Sequence, residues 1–354
     1  MNNSRILPTD EKIRLRIFIA IAFGVTLLMS IPMYFAFKRS IDLGVFVTAQ
    51  MYYPACGVIL GKLLTRREDE KLPITGYITI LVTTLVLMVL SICSIYSDSE
   101  SMETISNVLL AISSIIAYIA FWTCGREKRE NAGVTRKNIK MSIFMVALFM
   151  ILYVASLVLC TYLTGLRDGD MASQFAELTD PFKKPMTWLI LISTIISFPF
   201  AFSAFFGEEY GWRYYLQPVM QKKFGLIGGV LLLGVVWGIW HFNIDLMGFY
   251  SKDPGTSAIA SRIITCVTLG IFFAYAYMKT QNLWVPMIMH YLFNGMAGVL
   301  IGGDMSVMQD QVSTWNDIPI ELVSMLMFAL FIFAPIFRKK KEIELSELLL
   351  SAKS

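Results

Sequence analysis

Ten stretches of this 354-residue chain are apolar over about the length that crosses a bilayer: residues 17–37, 43–64, 74–96, 105–124, 141–164, 195–219, 225–246, 259–278, 283–302 and 318–337. A hydrocarbon core takes about 20 helical residues, and in lipid every backbone N–H and C=O must find its partner within the segment. Each stretch is therefore expected to be an α-helix, and the fold class all-α: a polytopic membrane protein with about ten transmembrane helices. With 56% apolar and 16% charged residues, against about 45 to 50% and about 25% in a soluble domain, disorder, a nucleic-acid-binding surface and a secreted disulfide scaffold are poor readings. The first stretch follows Lys12, Arg14 and Arg16 and lacks a small-residue cleavage site, so it reads as a retained span rather than a signal peptide. Cys56, Cys93, Cys124, Cys160 and Cys266 lie singly at or within the apolar stretches and read as small packing residues.

Placement of the basic residues orients the array. If ten spans alternate, 23 of the 30 Lys and Arg fall on the side of the termini, mainly at residues 5–16, 62–71, 126–140 and 338–341. The other side receives Lys38, Arg39, Arg167, Lys183, Lys184, Lys252 and Arg262. Cytoplasmic loops hold the excess of positive charge, so both termini are expected in the cytoplasm, with the acidic loop 97–103 and the loop 166–185 outside. Lys38 and Arg39 are the one conflict. The basic segment 125–140 divides the chain into an N-terminal accessory region of about four spans (1–140) and a transmembrane bundle (141–337). A short basic tail (338–354) follows. No fixed-period repeat marks a transporter duplication.

Ionisable groups inside a bilayer are costly and so become functional candidates. The chain has two histidines, His241 and His290, both inside apolar stretches, and a third stretch carries Glu208, Glu209 and Arg213. Glu209 and Arg213 are four apart, share a helix face and can pair; Glu208 is turned about 100° away and is left for another partner. Trp237 and His241 are four apart, as are His290 and Asn294. At about 1.5 Å per residue from the cytoplasmic ends, Glu208 lies about 22 Å in, His241 about 25 Å, His290 about 10 to 16 Å and Asn294 about 17 Å, so one shared layer can hold all four. Taken singly, an ion pair that orients a helix explains Glu209–Arg213 as well as a direct catalytic role does, and a hydrogen-bonded core histidine is the favoured reading of either histidine; together with Glu208 that preference reverses. Asp245 reads as a helix-end marker, Asn243 as a cavity candidate, and Pro199 and Pro286 as kinks.

The order Glu208-Glu209-Tyr210-Gly211-Trp212-Arg213, then Trp237-Gly238-Ile239-Trp240-His241, then His290-Tyr291-Leu292-Phe293-Asn294 resembles the CPBP family of intramembrane proteases, named for CAAX prenyl proteases and bacteriocin-processing proteins and also called Abi. That family's pattern is EExxxR, FxxxH and HxxxN or HxxxD on successive helices. Trp237 stands where Phe is usual, and the resemblance covers roughly residues 195–300. It implies endopeptidase activity within the membrane, with Glu208 and His241 at the positions held to activate water and His290 and Asn294 at those thought to bind the oxyanion. Glu209, Arg213 and Trp237 would support them.

Elementary chemistry fits that assignment, since amide hydrolysis needs a base for water and donors for the oxyanion. A zinc site held by Glu208, His241 and His290 is the alternative arrangement; without an HExxH motif, glutamate catalysis with no cofactor is the favoured one. The expected partners are the lipid bilayer and a peptide or membrane-protein substrate, lipid-modified substrates included, and no nucleic acid. The expected location is the plasma membrane of a prokaryote. Two readings from other classes stand beside this one: a catalytically silent immunity or scaffold protein, and a proton-coupled transporter using the same ionisable groups.

Overall fold

A computed structural model describes residues 8–66, 70–135, 137–250, 255–303 and 312–338. Each of the ten apolar stretches is helical there: α1 (Thr9–Lys38), α2 (Gly44–Leu64), α3 (Ile74–Cys93), α4 (Ser99–Thr123), α5 (Ile139–Asp168), α6 (Pro185–Phe224), α7 (Leu226–Trp240), α8 (Thr256–Thr280), α9 (Trp284–Leu300) and α10 (Ile318–Phe333). Among the described residues, α1 to α6 and α8 are long and apolar enough to span a bilayer, whereas α7 and α10 are shorter. At 15 residues, α7 is about 22 Å long, less than a hydrocarbon core of about 30 Å. The protein is an integral membrane protein with an all-α fold. All five cysteines are free. The basic tail, Arg338 apart, lies outside the described residues.

Several helices depart from the lengths read in the sequence, each for a local reason. The chain turns at His241, where α7 stops, and a short helix, Phe242–Leu246, carries on. The apolar stretch 225–246 is thus two pieces, and irregular backbone at this depth is tolerated because protein surrounds it. Pro286 does not kink α9, because it lies in the first helical turn, where no backbone hydrogen bond is lost. Pro199 is inside α6. Directly after Glu209, residues Tyr210–Leu216 widen into a π-helical turn, a departure that often accompanies functional sites. The loop 166–185 contains a further helix, Met171–Thr179.

Two pairs of glycines bring the site-bearing helices together. An ideal Cβ on Gly207 would meet the Met51 carbonyl oxygen at 2.4 Å, and one on Gly211 would meet the Pro54 Cβ at 2.2 Å. Gly207 and Gly211 bracket the two glutamates, so α6 lies directly against α2 where the glutamates emerge. Gly234 and Gly238 do the same for α7, whose backbone rests on Val267 and Ile263 of α8. Close approach at glycines four apart is a common packing mode of membrane helices. At the basic end, Arg14 of α1 pairs with Glu70 at 2.8 Å. Lys62 of α2 donates to the Tyr214 hydroxyl at 3.0 Å, and the Leu283 N–H donates to the Gly133 carbonyl at 3.1 Å.

Candidate active site

Glu208 and Glu209 leave α6 in different directions, as their 100° separation requires. Oε2 of Glu208 accepts a hydrogen bond from the indole N–H of Trp237 at 2.9 Å, which joins α6 to α7. Glu209 has two partners: its Oε2 accepts from Nε of Arg213 at 3.0 Å, and its Oε1 from Nδ1 of His290 at 2.9 Å. The bond to His290 joins α6 to α9. Glu209 and Arg213 have no exposed surface. Among the described residues, both terminal guanidinium nitrogens of Arg213 lack a hydrogen-bond partner, and the group lies 4.8 Å from the Trp237 ring and 5.5 Å from the Phe273 ring. Two aromatic faces thus supply the cation with electrostatic compensation that a single carboxylate does not complete.

His241 is set by the break in its own helix. Its Nδ1 lies 2.8 Å from the Trp237 carbonyl oxygen, which can only accept, so Nδ1 carries the proton and Nε2 of the neutral ring offers a lone pair. On His290, the carboxylate of Glu209 likewise requires the proton on Nδ1. Aromatic edges flank it, Phe205 at 5.1 Å and Trp237 at 5.5 Å between ring centroids.

Glu208, His241, His290 and Asn294 line one cavity of about 40 Å³, room for a few water molecules. Glu208, His241 and His290 are buried, whereas Asn294 is exposed. It stands where the cavity meets a vestibule of about 550 Å³ that Asn294, Phe293, Val47, Tyr250 and Arg262 also line. Among the described residues, no three His, Cys, Asp or Glu side chains come together as a metal-binding group.

Gln50, Tyr250 and Arg262 also line the cavity and were not legible in the motifs. Gln50 of α2 lines the cavity and is held by Asn243, whose side-chain N–H donates to the Gln50 carbonyl oxygen at 2.7 Å. Asn243 therefore buttresses the wall and is not itself part of it. Asp245 does more than end a helix: it is buried and accepts from Arg262 at 3.0 Å. The Arg262 guanidinium lies 4.5 Å from the Tyr250 ring, and both residues stand at the junction of cavity and vestibule. A polar Gln inside an apolar stretch and a charge seven residues into α8 were the available signals. The aromatic run after the glutamates is packing: Trp212, Tyr214 and Tyr215 are buried, and Phe206, Tyr210 and Tyr214 stack at 4.7 Å intervals.

Residues 185–296 match the family described as type II CAAX prenyl endopeptidase Rce1-like. A curated relative, CAAX prenyl protease 2 of Methanococcus maripaludis, is 22% identical over 167 residues, covering 44% of this chain and 57% of the relative. The chain thus spans little more than half the length of that relative. No solved structure matches. The match begins at the first residue of α6 and ends two residues after Asn294, so it encloses all three motifs. Over this segment the chain is similar to Rce1-like CAAX prenyl endopeptidases, in keeping with the resemblance its three motifs bear to the CPBP family.

Proposed function

We propose that this protein is an intramembrane endopeptidase whose site is the cavity between α6, α7 and α9. The observation that carries the reading is the joint lining of one water-sized cavity by Glu208, His241, His290 and Asn294. In the proposed mechanism a water donates one hydrogen bond to the Glu208 carboxylate and one to Nε2 of His241. Glu208 takes a proton as the water oxygen adds to the scissile carbonyl carbon, and returns it to the departing amine. Trp237 holds the carboxylate in place. The oxyanion accepts from Asn294 and from His290, which needs an imidazolium to donate from Nε2, since Nδ1 already donates to Glu209. Glu208, Glu209, His290 as imidazolium and Arg213 then sum to zero charge, which suits groups buried among the helices.

Catalysis by glutamate without a resident metal is the form proposed, because the chain carries no HExxH motif. The substrate is a peptide segment at the membrane; prenylated chains enter this reading only through the descriptions of the matching family and relative. The proposed setting is a prokaryotic plasma membrane with both termini cytoplasmic. Residues 141–337 carry the chemistry, and the N-terminal helices close it through α2. The test compares peptide ends in cells carrying wild type, Glu208→Gln, His241→Ala or Asn294→Ala. Glutamine keeps the shape but cannot take a proton, so Glu208→Gln is expected to lose about 10²- to 10⁴-fold or more. Asn294→Ala is expected to lower kcat more than it raises KM. Wild-type cleavage by Glu208→Gln at normal protein levels would end the proposal.

A further inference from the structure

The cavity at Glu208 opens toward one end of the bundle. Beyond Asn294 it adjoins the vestibule, with which it shares Val47, Tyr250, Arg262, Phe293 and Asn294, and whose walls include Gly44 and Thr48 at the start of α2, Glu103 and Asn107 at the start of α4, and Leu300 at the close of α9. In an up-and-down array all of these lie at the end away from the basic loops, because α2 and α4 run toward those loops and α9 runs away from them. A second opening of about 320 Å³, sharing Tyr250 and Arg262, is lined by Asp245, Ser261, Ser313 and Asp317, at the same end. Toward the basic loops, the described residues behind the glutamates fill the space between the helices. Behind the glutamates lie the fully buried Arg213 and Trp212 and the stacked Tyr210 and Tyr214. Beyond them, Lys62 and Tyr214 both bond to the Asn131 carbonyl, and Asn138 donates to the Thr280 carbonyl at 3.0 Å.

The distribution of Lys and Arg puts the filled end in the cytoplasm. We infer that substrates reach Glu208 from the extracytoplasmic face: they are exported or membrane-anchored peptide segments presented outside, and the tails of cytoplasmic proteins are excluded. A vestibule of about 550 Å³ lies within the range of sites that enclose a ligand, about 300 to 1,000 Å³. The inference rests on the proposed hydrolase reading for the word substrate, but not for the direction of access.

The test is cysteine labelling with a membrane-impermeant maleimide, in the full chain with Cys93, Cys124 and Cys160 replaced by Ser and that parent as blank. Thr48→Cys and Ala297→Cys, both in the vestibule and neither part of the proposed machinery, are expected to react in intact cells. Lys128→Cys, in the basic segment, is expected to react only after permeabilisation. Modified Ala297→Cys, one turn from Asn294, should lose cleavage while modified Lys128→Cys keeps it. Asn107→Cys, at an exposed rim position, keeps the test decisive if either vestibule variant fails to accumulate. Reaction of the vestibule variants only after permeabilisation, their failure to react from either side, or reaction of Lys128→Cys in intact cells would each overturn the inference. If wild type and Glu208→Gln leave the same peptide ends, the hydrolase reading falls, and the labelling pattern still decides the direction of access.

Discussion

Glu209→Gln isolates what the buried ion pair contributes. In the wild type one carboxylate serves two cations or potential cations, Arg213 at 3.0 Å and His290 at 2.9 Å. An amide has one acceptor oxygen, so a glutamine that accepts from Arg213 turns its N–H₂ to Nδ1 of His290, which can accept only as a neutral ring with its proton on Nε2. Arg213 has no exposed surface and, among the described residues, no hydrogen-bond partner for its terminal nitrogens, so the variant leaves a buried charge without the carboxylate bonded to it. For unit charges 3.0 Å apart, an effective dielectric of about 20 gives about 5 kcal/mol. Loss of one partner from a buried pair costs about 3 to 5 kcal/mol, in agreement. In detergent at a fixed scan rate, about 2 °C per kcal/mol lowers the apparent Tm by about 6 to 10 °C. The double variant Glu209→Gln/Arg213→Met removes both charges and should recover most of that loss, because a neutral apolar replacement carries no desolvation penalty. Cleavage should stay low in the double variant, since a neutral amide does not stabilise the imidazolium that His290 needs. A single variant within about 2 °C of wild type, or a double variant no more stable than the single, would refute the reasoning.

Trp237→Phe restores the residue usual at this position but deletes the 2.9 Å bond to Glu208; a hydrogen bond to a charged group contributes about 1.5 to 3 kcal/mol, so kcat should fall about 10- to 100-fold with KM little changed. Unchanged turnover would mean that the carboxylate is held by something else. Exhaustive treatment with a strong chelator should leave detergent-solubilised activity intact, with well under one equivalent of zinc in the purified protein. Stoichiometric zinc, lost and restored together with activity, would replace the metal-free mechanism and leave the site where it is.

Segment length and charge placement were sufficient to read the ten helices, because lipid leaves a backbone almost no alternative to helix. The spacing of Glu209 and Arg213 likewise specified their pairing, which is local to one helix. The three motifs in order resembled the CPBP family, and the match over residues 185–296 agrees. What the sequence could not carry was every contact made across helices. The same Glu209 oxygen pair also grips His290, a contact that depends on how α9 sits beside α6, and helical spacing says nothing about that. Trp237 looked like one aromatic in place of another until packing aimed its N–H at Glu208. Gln50, from the region read as accessory, became a wall of the cavity because Gly207 and Gly211 let α2 lie against α6 without intervening side chains. Periodicity reports which face of a helix a residue occupies; only tertiary packing decides which other face it meets.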